Sequence, residues 1–109
     1  MKTKEELEKI KSDILEKTKP IYTFPVEMDD EGTIGTFYFK KPGRLEMAAI
    51  QKGAASADSL RATEIFIAQC YLGGDDKALL NADNYDALKQ VETGMLEVVK
   101  AKSIDIKKN

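Results

Sequence analysis

The chain has 109 residues, 42% hydrophobic and 33% charged, with 17 Lys and Arg against 19 Asp and Glu. That length suits one domain with its own apolar core, and interleaved charges summing to −2 leave no basic face for nucleic acid. The absence of His removes Ser-His-Asp and Cys-His catalysis and His-ligated zinc, and no run of about 18 apolar residues is present to span a membrane.

Thr3 to Lys19 reads as a helix. Thr3 is a capping residue with Glu6 three positions on. Glu5, Glu6 and Glu8 near the start and Lys17 and Lys19 near the end suit the helix dipole. Charges alternate here without an apolar stretch, so no signal peptide is expected and the cytoplasm is the expected compartment. Leu7, Ile10 and Ile14 form a narrow stripe, which lies either across the hairpin or against another subunit. Pro20 is expected to end the helix.

Ile21 to Met28 alternates as a half-buried strand, with Tyr22, Phe24, Val26 and Met28 on one face. Pro25 cannot donate to a ladder, which marks an edge strand or a bulge. Asp29 to Gly32 is a turn, and Thr33 to Phe39 is the return strand. Phe37, Tyr38 and Phe39 fall on both faces of that strand, so both faces need a cover. A lone hairpin is marginal in water.

Lys40 to Gly43 breaks the strand. A helix then spans about Arg44 to Ala55, with Leu45, Ala48, Ala49 and Ile50 as a face for close helix packing. Ser56 and Asp58 are cap candidates for the next helix, about Ser59 to Leu72. That helix is apolar nearly all round after Glu64, which predicts burial. Gly73 and Gly74 end it, and Asp75 or Asp76 caps the short turn that follows. The last helix spans about Asn84 to Lys102, with Tyr85, Leu88, Val91, Met95, Val98 and Val99 as its stripe. Gly94 in mid-helix predicts a close contact. The expected architecture is α+β: residues 1–20 a charged helix, 21–39 an antiparallel hairpin, 40–102 a helical core packed on it, and 103–109 a flexible tail.

The chemistry-bearing residues point to structure. The acidic groups Asp29 to Glu31, Asp75 with Asp76, and Asp83 with Asp86 lack the spacing of a calcium loop and suit turns and caps. The glycines form neither GxGxxG nor a phosphate loop. Cys70, the only cysteine, sits among apolar residues and reads as a buried reduced thiol. No catalytic residue, metal ligand or cofactor site is expected.

One resemblance runs through Ile21 to Val99. Phe39-Lys40-Lys41-Pro42-Gly43-Arg44 with Glu46 closes the hairpin, and a hydrophobic helix reaches Cys70-Tyr71-Leu72-Gly73-Gly74-Asp75. A charged helix precedes these and an amphipathic helix follows. This order resembles the small tail assembly chaperones of long-tailed bacteriophages, in which a hairpin leads through K-P-x-R-x-E into a helical bundle with a Cys-containing helix. Pro42, Arg44, Glu46 and Cys70 carry the likeness and read as structural. The resemblance implies a non-enzymatic protein that coats the tape-measure protein before the tail tube polymerises, often self-associates, and leaves before the virion is finished. The alternatives are a permanent small adaptor of the particle and a small regulatory binding module.

A holdase needs an apolar surface matched to an amphipathic helix. The candidates for a partner or self-association surface are Leu7, Ile10 and Ile14 on the first helix and Tyr22, Phe24, Phe37 and Phe39 on the hairpin. For the hairpin aromatics the competing reading is that they cover the helical core. Edge pairing through Ile21 to Met28 is a further route to association, which Pro25 interrupts.

Overall fold

A computed structural model describes residues 1–100. Its elements are α1 (Lys4–Leu15), β1 (Ile21–Glu27), β2 (Ile34–Lys40), α2 (Arg44–Ala54), α3 (Arg61–Cys70), β3 (Tyr71–Gly74), a 3-10 turn (Lys77–Leu79) and α4 (Tyr85–Val99). The fold is α+β, four helices around an antiparallel sheet of order β1-β2-β3. The expected tail, 103–109, lies outside the described residues, and α4 ends at Val99 rather than Lys102.

The hairpin pairs Ile21 with Lys40 through Glu27 with Ile34, and β1 is an edge strand, as Pro25 requires. The third strand was not expected. The helix read through Leu72 stops at Cys70, and Tyr71 turns to extended backbone at φ −64°, ψ 128°. The extended chain pairs Gly74 with Phe37, Gly73 with Tyr38 and Tyr71 with Phe39, leaving Leu72 as the extra residue of a bulge. Pairing gives the main-chain groups of Tyr71–Gly74 partners on β2 that one more helical turn would not.

Alternation along β2 sends Phe37 and Phe39 to one face and Tyr38 to the other. Phe37 and Phe39 join the core with Phe24, Val26, Phe66, Leu88, Val91 and Met95. Three rings define its centre, with centroids 4.7 Å apart for Phe24–Phe39, 4.8 Å for Phe39–Phe66 and 5.8 Å for Phe24–Phe66. α4 crosses β1 at Gly94, where a Cβ would stand 2.6 Å from Phe24 Cε2. The close contact expected of that glycine is therefore to an aromatic ring on the sheet.

Three helical expectations change in detail. α3 buries Ala62, Thr63, Phe66, Ile67 and Cys70 but leaves Ala68 and Gln69 exposed, so it is amphipathic rather than apolar all round. Tyr85 is exposed and Ala87 takes its place in the α4 stripe. Leu45 is 82% exposed, while Ile50 and Gly53 are the residues of α2 that are buried. The caps follow the sequence more closely. Thr3 accepts from Glu6 N–H as Glu6 accepts from Thr3 N–H, Asp76 accepts from Ala78 N–H and Asn84 from Ala87 N–H.

Candidate functional site

The structure divides the proposed partner surface between two faces of the sheet. Phe24, Phe37 and Phe39 are in the core, at 7% exposure or less. They are not a docking surface: the helices α3 and α4 already cover them, and that burial is what stabilises the hairpin. Tyr22 is half-buried against the same core. Leu7, Ile10 and Ile14 are together on the other side, half-buried where α1 lies across β3 and Tyr38. Of the hairpin, across which this stripe was expected to lie, Tyr38 of β2 bonds the Leu7 carbonyl, but the main support is β3, a strand outside the expected hairpin.

The seat of α1 is built from main-chain and side-chain contacts. Ile10 and Ile14 rest on Gly73, where a Cβ would come within 3.0 Å of Ile10 Cγ2 and 2.9 Å of Ile14 Cδ1. The Tyr38 hydroxyl donates to the Leu7 carbonyl at 3.2 Å. Ahead of the helix, Lys2 N–H donates to Asp75 Oδ1 at 2.7 Å. α1 ends at Leu15, short of Lys19, in a tightened last turn where Lys17 N–H makes a 3-10-type bond to the Ile14 carbonyl and Thr18 N–H shares that acceptor. Burial raises the Tyr38 pKa above its ordinary value, with Glu8 and Asp75 adding to the shift.

Asp75 is the residue that sequence reasoning misplaced. It caps no helix. At 1% exposure, its carboxylate takes Lys2 N–H on one oxygen and Thr36 N–H on the other, each at 2.7 Å. Its own N–H donates to the Thr36 carbonyl at 2.8 Å, and its carbonyl accepts from the Tyr71 hydroxyl at 2.6 Å. Asp75 thereby fastens the N-terminal segment to β2 and the end of β3. Only β3, unrecognised in the sequence, brings it there. Asp75→Ala would leave two N–H groups without an acceptor and is expected to cost about 1–3 kcal/mol. The measurement is the urea midpoint at constant m-value, with α1 amides exchanging faster. An unchanged midpoint would remove the fastening role.

The residues of the phage-chaperone resemblance form the strand-to-helix junction. Pro42 is buried, Gly43 is the N-cap of α2, and Arg44 is exposed on its first turn. Glu46 accepts from Lys40 Nζ at 3.1 Å and from Gly43 N–H at 3.4 Å. The Lys40 ammonium, with the Gly43 N–H among further donors, holds the Glu46 carboxyl below its usual range.

Cys70 is fully buried, and its thiol is pushed up to about 11 by burial. A raised folded-state value means that the thiol's contribution to stability is complete below its unfolded value, near 9, and is lost as the pH climbs through about 11. At pH 8 a disulfide reagent is expected to label Cys70 only after denaturation. Rapid labelling of the native chain would contradict the burial.

The remaining acids act locally. Asp29 accepts from Glu31 and Thr33 N–H at 2.9 and 3.1 Å, and the bonds from Thr33 hold its carboxyl low. Among the described residues, no three His, Cys, Asp or Glu side chains could hold a metal ion. A concavity of about 460 Å³ forms an open shelf between α3 and the 3-10 turn, with Ile67, Ala68, Leu80 and Ala82 in its walls. Among the described residues, no helix is long and apolar enough to cross a membrane.

The exposed edge of β1 is also shaped by side chains. Met28 N–H bonds to the Thr33 carbonyl of the hairpin, so the alternate groups of Glu27 face outward. Gln90 on α4 meets them with both ends of its amide: Glu27 N–H donates to Oε1 at 2.8 Å, and Nε2 donates to the Glu27 carbonyl at 2.9 Å.

Comparison of the chain with protein-family models, with curated proteins and with solved structures finds no match.

Proposed function

We propose that this chain is a tail assembly chaperone of a long-tailed bacteriophage, a protein that binds the tape-measure protein transiently and carries out no covalent chemistry. The observation that supports this reading is the sheet face beneath α1. It holds an amphipathic helix by a stripe of three aliphatic side chains and a few main-chain contacts, the chemistry required to hold helices of a long tape-measure protein in solution. The K-P-x-R-x-E segment adds to it, since Pro42 and Glu46 shape the hairpin-to-helix junction. A protonated, buried Cys70 and carboxylates engaged in turns and caps suit binding more than turnover. The host cytoplasm would be its place of action.

On this reading a long helical protein is encoded beside this chain, and co-expression of the two tests the proposal. The expected result is that the helical protein stays soluble and co-elutes with this chain, and that mass spectrometry of mature particles finds none of it. Stoichiometric presence in mature particles would make it a permanent adaptor instead. Loss of the helical protein to the pellet, with no co-elution, would overturn the chaperone reading.

A further inference from the structure

α1 is attached to the fold without belonging to its core. Among the described residues, the buried cluster and the half-buried side chains packed on it draw nothing from α1. Every residue of α1 is at least partly exposed, whereas each of the other three helices contributes buried side chains. Among the described residues, its charged side chains form no ion pair. Two hydrogen bonds there tie the N-terminal segment to the sheet, Lys2 N–H to Asp75 and the Tyr38 hydroxyl to the Leu7 carbonyl. Ile10 and Ile14 complete the attachment by resting on Gly73. The link to β1, Glu16 to Pro20, sends its Lys17 and Thr18 N–H back to Ile14 and, among the described residues, makes no hydrogen bond to the sheet or the other helices.

We infer that α1 is a latch, which leaves the β2–β3 face as one unit and returns to it while the core stays closed. Release uncovers little that water rejects. The floor of the seat is Gly73, which has no side chain to expose. Asp75 keeps Thr36 N–H on one oxygen and turns the other to water, and the Tyr38 hydroxyl exchanges a carbonyl for water. The phenylalanine rings are on the opposite face of the sheet and stay covered by α3 and α4. Release is also cooperative. A helix of 12 residues is marginal by itself, so α1 keeps its shape through its seat and loses the two together. Its attachments are spread from Lys2 to Ile14, and weakening one of them loosens the whole element. Tyr38 and Asp75 are 3% and 1% exposed with the latch shut. The open form therefore presents a hydroxyl and a carboxylate oxygen that the closed form hides. The inference does not depend on a role in phage tails.

The test is native-state hydrogen exchange of the full-length chain, in urea concentrations below the unfolding transition. The amides of α1 are expected to share one protection factor, at least about tenfold below those of α3 and α4, with a weaker dependence on urea because less surface opens. Two variants then separate a latch from a fraying end. Lys2→Pro removes the N–H that Asp75 accepts, and Tyr38→Phe removes the donor to Leu7; neither touches the core. Each should speed exchange along the whole of α1, its last turn included, by roughly threefold to tenfold for Tyr38→Phe and about tenfold or more for the charge-assisted bond at Lys2. Protection in α3 and α4 should not change. Acceleration confined to the first turn in Lys2→Pro would mean fraying and would overturn the latch. So would α1 amides that exchange with the same protection and urea slope as α3, since α1 would then open only with the core. Unprotected α1 amides in the wild-type chain would show that the helix is not seated and would equally overturn it.

Discussion

Phe66→Ala is expected to lower the unfolding free energy by about 3–5 kcal/mol. Phe66 has no exposed surface and stacks on both Phe39 and Phe24. It is the contribution of α3 to the ring cluster that joins the helices to the hairpin. Truncation removes its transfer free energy and also leaves β1 and β2 facing a void. Collapse into that void is restricted, because Phe24 is pinned between Phe39 and the bare backbone of Gly94. Chemical denaturation gives the answer directly, and a loss below about 1 kcal/mol would be too small for a fully buried ring.

Gly74→Ala ranks next, with an expected cost of at least about 3 kcal/mol from backbone strain and overpacking together. Gly74 has φ +105°, and a Cβ there would run into the Thr36 carbonyl oxygen and stand 3.0 Å from Phe37 Cα. Both obstacles are main chain of the central strand and have nowhere to go. Gly32→Ala is the control, since Gly32 has φ +85° but nothing within 4 Å of the added carbon. It isolates the conformational penalty, about 1–2 kcal/mol. The thermal midpoint of Gly74→Ala should fall on the order of 10 °C or more, well beyond that of Gly32→Ala. Equal shifts would mean that β3 does not approach β2 as closely as it does here.

Local signals in the sequence were read with success where the partner of a residue was also local. Thr3 and Glu6 are three residues apart and cap α1 as expected. The alternation from Tyr22 to Met28 and the turn at Asp29 to Gly32 are one hairpin, and Pro25 marks its edge. β3 was missed because its partner is remote. Tyr71 and Leu72 continue an apolar helical run, and only pairing with Phe37 to Phe39, more than thirty positions earlier, makes them a strand. A sign of it was present in Phe37, Tyr38 and Phe39, three successive aromatics in a strand that must be covered on both faces. Asp75 follows from the same gap: beside two glycines it looks like a cap, and only the register of β3 turns its carboxylate toward Lys2 and Thr36.

The candidate surface was legible as a set of apolar residues but not as a division between faces. Alternation shows that Phe24, Phe37 and Phe39 share a side; it does not show what lies over them. Three-dimensional packing puts α3 and α4 there and leaves α1 the opposite face. Leu7, Ile10 and Ile14 are consequently the members of that set whose contacts can be changed without opening the core.

A bare sheet edge is a template that reproduces itself: each strand added offers the next chain the same invitation, and growth has no natural end. On β1 that invitation is withdrawn at successive outward positions. Pro25 has no N–H to give, and at Glu27 the amide of Gln90 already occupies the place of a neighbouring strand. Ile21 and Thr23, beyond Pro25, are too short a run to seed a lengthening ribbon.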